Sequence, residues 1–189
     1  MPLNLPNLLT WLRILVIPLM VGVFYLPDGW MTPYEANLLA AAFFGVAALT
    51  DWLDGYLARA LGQTSAFGAF LDPVADKLMV AAALIVLIDL GRVAPLIGLI
   101  IIGREITISA LREWMAKEGK SASVAVSFAG KLKTTAQMVA IVLLLYYQPV
   151  AGLPIATLGT VLIWVAALLT LVSMAYYLMM AARALRNTP

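Results

Sequence analysis

Long apolar stretches separated by short polar breaks set the rhythm of this chain, and no run shows the strict alternation of a half-buried strand. A helix crosses about 30 Å of hydrocarbon in roughly 20 residues. The first stretch predicts a helix over 8–26, closed by the turn Pro27-Asp28-Gly29. The second starts near Pro33, is apolar from Leu38 to Leu49, and continues as helix through a polar segment to Leu61. After a turn at Gly62–Ser65, the uninterrupted run Leu78–Leu87 is too short to cross by itself. A helix begun near Phe67 reaches about 23 residues by Asp89, which suffices. Pro73 lies inside it and predicts a kink or a helix start. The remaining helices fall over 95–114, 129–147 and 153–180, with breaks at Gly91–Pro95, Lys117–Phe128 and Gln148–Gly152. The predicted fold is all-α: one integral-membrane domain over 1–189, a bundle of six transmembrane helices with a polar cavity facing the cytoplasm.

Composition agrees. Of 189 residues, 63% are hydrophobic and 12% charged, whereas soluble domains carry about 25% charged residues. The basic residues fix an orientation. Arg13, Arg59, Lys77, Arg104, Arg112, Lys117, Lys120, Lys131, Lys133, Arg183 and Arg186 fall on or near one side, and Arg92 alone falls on the other. The positive-inside rule places the first set, and both termini, in the cytoplasm. The N-terminus lacks a basic region ahead of its apolar run, so the first stretch reads as a retained span. Cys and His are both absent. That excludes disulfides, thiol nucleophiles and the usual zinc ligands, and leaves Asp, Glu, Lys or Tyr as any base. A metal must then be held by oxygen, which points to Mg2+, Mn2+ or Ca2+.

One polar stretch interrupts this apolar background. Asp51, Asp54 and Ala58 share a helix face at i, i+3, i+7, and Gly68, Asp72 and Asp76 share one at i, i+4, i+8. Carboxylates in or beside hydrocarbon are costly unless paired or metal-bound. Two such faces brought together make a cation site, and carboxylates on a divalent ion beside basic side chains are the parts of a phosphoryl-transfer centre. Gly55 and Gly68 permit close approach, Ala58 keeps the face shallow, and Arg59 suits a phosphate.

The whole pattern, D-x2-D-G-x2-A-R-x8-G-x3-D-x3-D, is met at Asp51, Asp54, Gly55, Ala58, Arg59, Gly68, Asp72 and Asp76. It resembles the signature of the CDP-alcohol phosphatidyltransferases. Further segments resemble the bacterial members that use glycerol 3-phosphate: Pro6-Asn7 with Thr10 and Arg13, Gly103-Arg104-Glu105, Ser109 to Trp114, and Gly130-Lys131-x-Lys133-Thr134. The resemblance spans nearly the whole chain. It implies Asp51, Asp54 and Asp72 as ligands of a pair of Mg2+ or Mn2+ ions, with Asp76 both ligand and general base. It implies CDP-diacylglycerol contacts from Gly55, Ala58, Arg59, Thr64, Ser65 and Gly68, with Asn7, Thr10 and Arg13 closing the pocket. The implied reaction transfers the phosphatidyl group from CDP-diacylglycerol to sn-glycerol 3-phosphate in the bacterial inner membrane. The family's habit of forming homodimers makes a homodimer an expectation; no nucleic-acid partner is expected.

Acceptor choice needs cations for a phosphate monoester, and Arg104, Arg112, Lys131 and Lys133 are the candidates, with Glu105 orienting one of the arginines. Adjacent helical residues face apart, so Arg112 is expected as its partner. Serine, inositol phosphate or phosphatidylglycerol as acceptor would leave the Asp motif unchanged. A divalent-cation transporter is the competing class, but it calls for a repeat or a polar path through the membrane, and neither is visible. Basic residues at span ends also serve as topology anchors. Gly22, Gly45, Gly98, Gly103 and Gly159 read as close-packing positions. Trp11, Trp30, Trp114 and the pairs Tyr146/Tyr147 and Tyr176/Tyr177 read as interfacial anchors.

Overall fold

The structure is a computed structural model that describes residues 5–61, 66–117 and 128–186; side chains at 5–7, 52–61, 66, 69, 128–131 and 184–186 fall outside that description. The described residues form six α-helices: α1 (Leu5–Gly22), α2 (Pro33–Leu61), α3 (Ala66–Asp89), α4 (Pro95–Lys117), α5 (Phe128–Tyr146) and α6 (Ile155–Arg186), with a 3-10 turn at Val23–Tyr25. The all-helical expectation holds to within a few residues at most boundaries. α3 begins at Ala66 and continues through the position of Pro73, so the proline does not start the helix.

Helix ends follow from local chemistry. Thr32 and Glu35 form a reciprocal capping box ahead of Pro33: the Thr32 N–H donates to Glu35 Oε2 at 2.7 Å, and the Glu35 N–H donates to Thr32 Oγ1 at 3.2 Å. α3 closes at Gly91, whose φ of +69° suits a residue without Cβ. There the Arg92 N–H donates to the Leu87 carbonyl and the Gly91 N–H to that of Ile88. This turn aims Arg92 at the end of α5. Its guanidinium donates to the carbonyls of Leu144 and Leu145, both at 3.0 Å, and to Asn37 Oδ1 at 2.8 Å. It also lies 4.3 Å from the ring centre of Tyr147, a residue in left-handed backbone conformation at φ 64°. Arg92 thus satisfies carbonyls that the helix end leaves over.

The core is one apolar cluster shared by α1 to α6, built around Met20, Phe44, Leu84, Ile101, Ile141 and Ile163. A smaller cluster joins Ile108 and Met115 of α4 to Tyr177 and Ala181 of α6. α5 and α6 pair most extensively, and Gly159 explains the approach, since a Cβ there would sit 2.8 Å from Leu144 Cγ. A Cβ at Gly98 would meet Ile88 at 2.5 Å. At Gly22, Gly45 and Gly103 nothing lies within 4 Å, so the close-packing expectation holds within the chain at Gly98 and Gly159 only.

Many large apolar side chains also lie on the outer surface. Leu15, Leu19, Leu99, Ile106, Leu168 and Val172 are all exposed. Two helices, over 8–25 and 155–183, are long and apolar enough to cross a bilayer. Helix hydroxyls turn inward to backbone: Thr107 donates to the Gly103 carbonyl, Thr160 to Ala156 and Thr170 to Ala166. Such bonds satisfy hydroxyl groups within the helix itself. These features are those of a membrane protein.

Candidate active site

α1 delivers a cation to the carboxylates. Thr10 and Arg13 lie one turn apart on one face of α1, and each is only 1% exposed. Asp72 and Asp76 lie one turn apart on α3. The two faces meet in register: Thr10 Oγ1 donates to Asp72 Oδ1 at 2.5 Å, and Arg13 Nη1 donates to Asp76 Oδ1 at 2.9 Å. The same Nη1 is 2.8 Å from Asp51 Oδ1 of α2. Two carboxylates from different helices hold Arg13 inside. Gly68 is buried one turn before Asp72.

Oxygens from Asp51 and Asp76 converging on one cationic nitrogen form a donor set suited to a hard cation. Among the described residues no three carboxylates draw together closely enough to hold an ion. Asp54 lies outside the described side chains, as do Asn7, Gly55, Ala58, Arg59, Thr64, Ser65 and Lys131.

A cavity of about 300 Å³ opens beside these carboxylates. Asp51, Asp76, Lys77 and Val80 of α2 and α3 line one wall. Arg104, Glu105 and Arg112 of α4, Thr134, Gln137 and Met138 of α5, and Tyr177 of α6 line the other. The second wall is tightly organised. Glu105 Oε1 accepts from Lys133 Nζ at 2.5 Å and from Arg104 Nη1 at 3.1 Å. Arg104 Nη2 reaches Ser173 Oγ at 3.4 Å, and Ser173 in turn donates to the Thr170 carbonyl. Tyr177 presents its ring to both arginines, with Arg104 at 5.8 Å and Arg112 at 5.5 Å from its centre.

Several expectations change here. Glu105 pairs with its sequence neighbour Arg104 and with Lys133, not with Arg112. The long guanidinium reaches around the helix where the Cβ vectors diverge. Lys133 is 1% exposed behind Glu105 and is not part of the cavity wall. Arg104 and Arg112 do line it. Tyr177 is 1% exposed, so it is a wall of the site and not an interfacial anchor; its neighbour Tyr176 is 48% exposed. Gln137 and Lys77 also line the cavity, and neither stood out in the sequence as a candidate. For Gln137 a signal existed: it sits four residues after Lys133 on the same face of α5.

Comparison with known proteins agrees with the motif. Residues 3–172 match the family model described as CDP-alcohol phosphatidyltransferase. The chain is 52% identical over 186 residues to the CDP-diacylglycerol–glycerol-3-phosphate 3-phosphatidyltransferase of Escherichia coli, covering 97% of both chains. It is 51% identical over 180 residues to the protein of that name from Salmonella choleraesuis, covering 94% of both. With the family model matched over most of its length, this chain belongs to the CDP-alcohol phosphatidyltransferase family.

Proposed function

We propose that this protein is a membrane-embedded enzyme that transfers the phosphatidyl group of CDP-diacylglycerol to sn-glycerol 3-phosphate, giving phosphatidylglycerol phosphate and CMP. Its likeness to phosphatidyltransferases of that name across nearly the whole chain supports the reaction class and both substrates. The observation that carries the chemistry is the cavity with Asp51 and Asp76 on one wall and Arg104 and Arg112 on the other. A phosphoanhydride and a phosphate monoester must meet there without water between them.

The residues divide the work. Arg104 and Arg112 hold the phosphate monoester of the acceptor, because fixed guanidinium donors match phosphate oxygens. Glu105 and Lys133 hold Arg104 in place from behind. Asp76 takes the proton of the acceptor's primary hydroxyl. The hydroxyl oxygen then forms a bond to the lipid-side phosphorus, and the bond from that phosphorus to the CMP oxygen breaks. Asp51, Asp54, Asp72 and Asp76 are the residues to hold divalent ions, Mg2+ or Mn2+ and two in number. When bound, such ions offset the charge of the pyrophosphate and of the departing CMP. Gly55, Ala58, Arg59, Thr64, Ser65 and Gly68 complete the nucleotide side, with Asn7, Thr10 and Arg13 of α1 closing it.

All six helices are proposed to span the bacterial inner membrane, as one domain over the whole chain, with both termini and the cavity mouth in the cytoplasm. The basic residues beside the cavity favour that orientation. Labelled glycerol 3-phosphate, CDP-diacylglycerol and Mg2+ supplied to the purified protein in mixed micelles test this reading. Label in a chloroform-soluble phosphate monoester, lost on chelation, is expected; label left wholly in water contradicts it.

A further inference from the structure

We infer that Gln137 selects the acceptor through a second hydroxyl: its side-chain carbonyl accepts a hydrogen bond from the C2 hydroxyl of glycerol 3-phosphate. The inference rests on the acceptor proposed above and names a specificity-determining residue within that site.

Gln137 is 3% exposed and lines the cavity. Among the described residues its Oε1 is buried without a hydrogen-bond partner. Arg104, 8% exposed on the same wall, has its Nε buried without one. Buried polar atoms are almost always paired, because an unpaired one forfeits its water and gains nothing. The wall therefore offers one unmet donor and one unmet acceptor. A phosphate oxygen answers Arg104 Nε, but a phosphate dianion has no proton to give Gln137. A hydroxyl does. A hydroxylated phosphate monoester answers both at once.

The choice of hydroxyl follows from the chemistry. The primary hydroxyl must present its proton to Asp76, on α3. That leaves the C2 hydroxyl for Gln137. Gln137 sits one turn from Lys133 on α5 and lines the same cavity as Arg104 and Arg112, the cations assigned to the acceptor phosphate. This places the contact on the acceptor and not on the nucleotide. Such a bond fixes the carbon between phosphate and nucleophile, and so aims the nucleophile. A site built to bond a substrate hydroxyl rejects the analogue lacking it, because its own polar group is then left unpaired.

The test compares sn-glycerol 3-phosphate with 3-hydroxypropyl phosphate, which has hydrogen in place of the C2 hydroxyl. The wild-type protein in mixed micelles is expected to favour glycerol 3-phosphate in kcat/KM by about tenfold or more. Gln137→Leu should bring the two acceptors within about twofold, chiefly by lowering the value for glycerol 3-phosphate. Gln137→Glu keeps an acceptor oxygen and should keep the preference. Should Gln137→Leu fail to accumulate, Gln137→Met carries the same comparison with less change of shape. Equal use of both acceptors by the wild type overturns the inference without any variant, and so does an undiminished preference in the Leu or Met variant. CMP release with neither acceptor overturns the acceptor assignment on which it rests.

Discussion

Arg13 of α1 places its Nη1 2.9 Å from a carboxylate oxygen of Asp76, 63 residues further along the chain. The same nitrogen meets Asp51, so one buried side chain joins the first three helices at the proposed reaction centre. Removing it leaves two carboxylates facing each other. Both are more than a third exposed, which moderates the cost. Arg13→Ala is expected to lower stability by about 1–3 kcal/mol and activity by at least ~100-fold. Thermal unfolding in detergent with CMP release reads both, and a variant with unchanged Tm and turnover contradicts the arrangement. Arg13→Lys keeps the charge but not the planar fork, and should fall between the two.

Asp76→Asn tests the base. The amide keeps the shape of the side chain and cannot take the proton. Turnover should fall by roughly three orders of magnitude or more. Binding of CDP-diacylglycerol, read by protection from thermal unfolding, should largely survive. Substantial retained turnover would assign the proton to another group.

The Asp motif was legible as a pattern because it is written in fixed spacings; Asp51 falls on α2, and Asp72 and Asp76 fall one turn apart on α3. The helices themselves were legible from their length and apolarity. What the spacings could not give is which side chains meet across helices. Arg13 read as a residue near a membrane surface, yet packing of α1 against α2 and α3 carries it inside. Lys133 and Glu105 are 28 residues apart and pair only because α4 and α5 bring them together. Tyr177 looks like its neighbour Tyr176 in sequence, but a helix turns successive residues by about 100° and buries only one of them.

Glu105 organises the basic wall, since it pairs with both Lys133 and Arg104. Glu105→Gln should reduce kcat/KM for glycerol 3-phosphate by about 10- to 100-fold while leaving the KM for CDP-diacylglycerol within about twofold. Lys133→Met alone leaves Glu105 short of a partner and should cost about 2–3 kcal/mol. The double variant should be more stable than the sum of the singles implies, because it removes both charges together. Additive losses in Tm across this cycle would contradict the pairing.

Arg92 supplies a control outside the site. It binds the last carbonyls of α5, Asn37 and the ring of Tyr147. Arg92→Ala should cost about 1.5–3 kcal/mol through unmet carbonyls and a freed Tyr147. Once corrected for folded protein, the KM values for both substrates should be unchanged. A specific rise in the acceptor KM would mean that this end of the molecule is coupled to the cavity.

The most direct measurement is CMP release by the purified protein with CDP-diacylglycerol and Mg2+, with glycerol 3-phosphate, serine, inositol phosphate and phosphatidylglycerol offered in turn. Release with glycerol 3-phosphate alone, with Arg112→Ala raising the KM for that acceptor more than for the CDP-lipid, is the result expected. Release with a different acceptor would keep the carboxylate assignments and contradict the acceptor site built from Arg104, Arg112 and Gln137. Release with none, despite binding of the divalent ion, would contradict the enzyme reading itself.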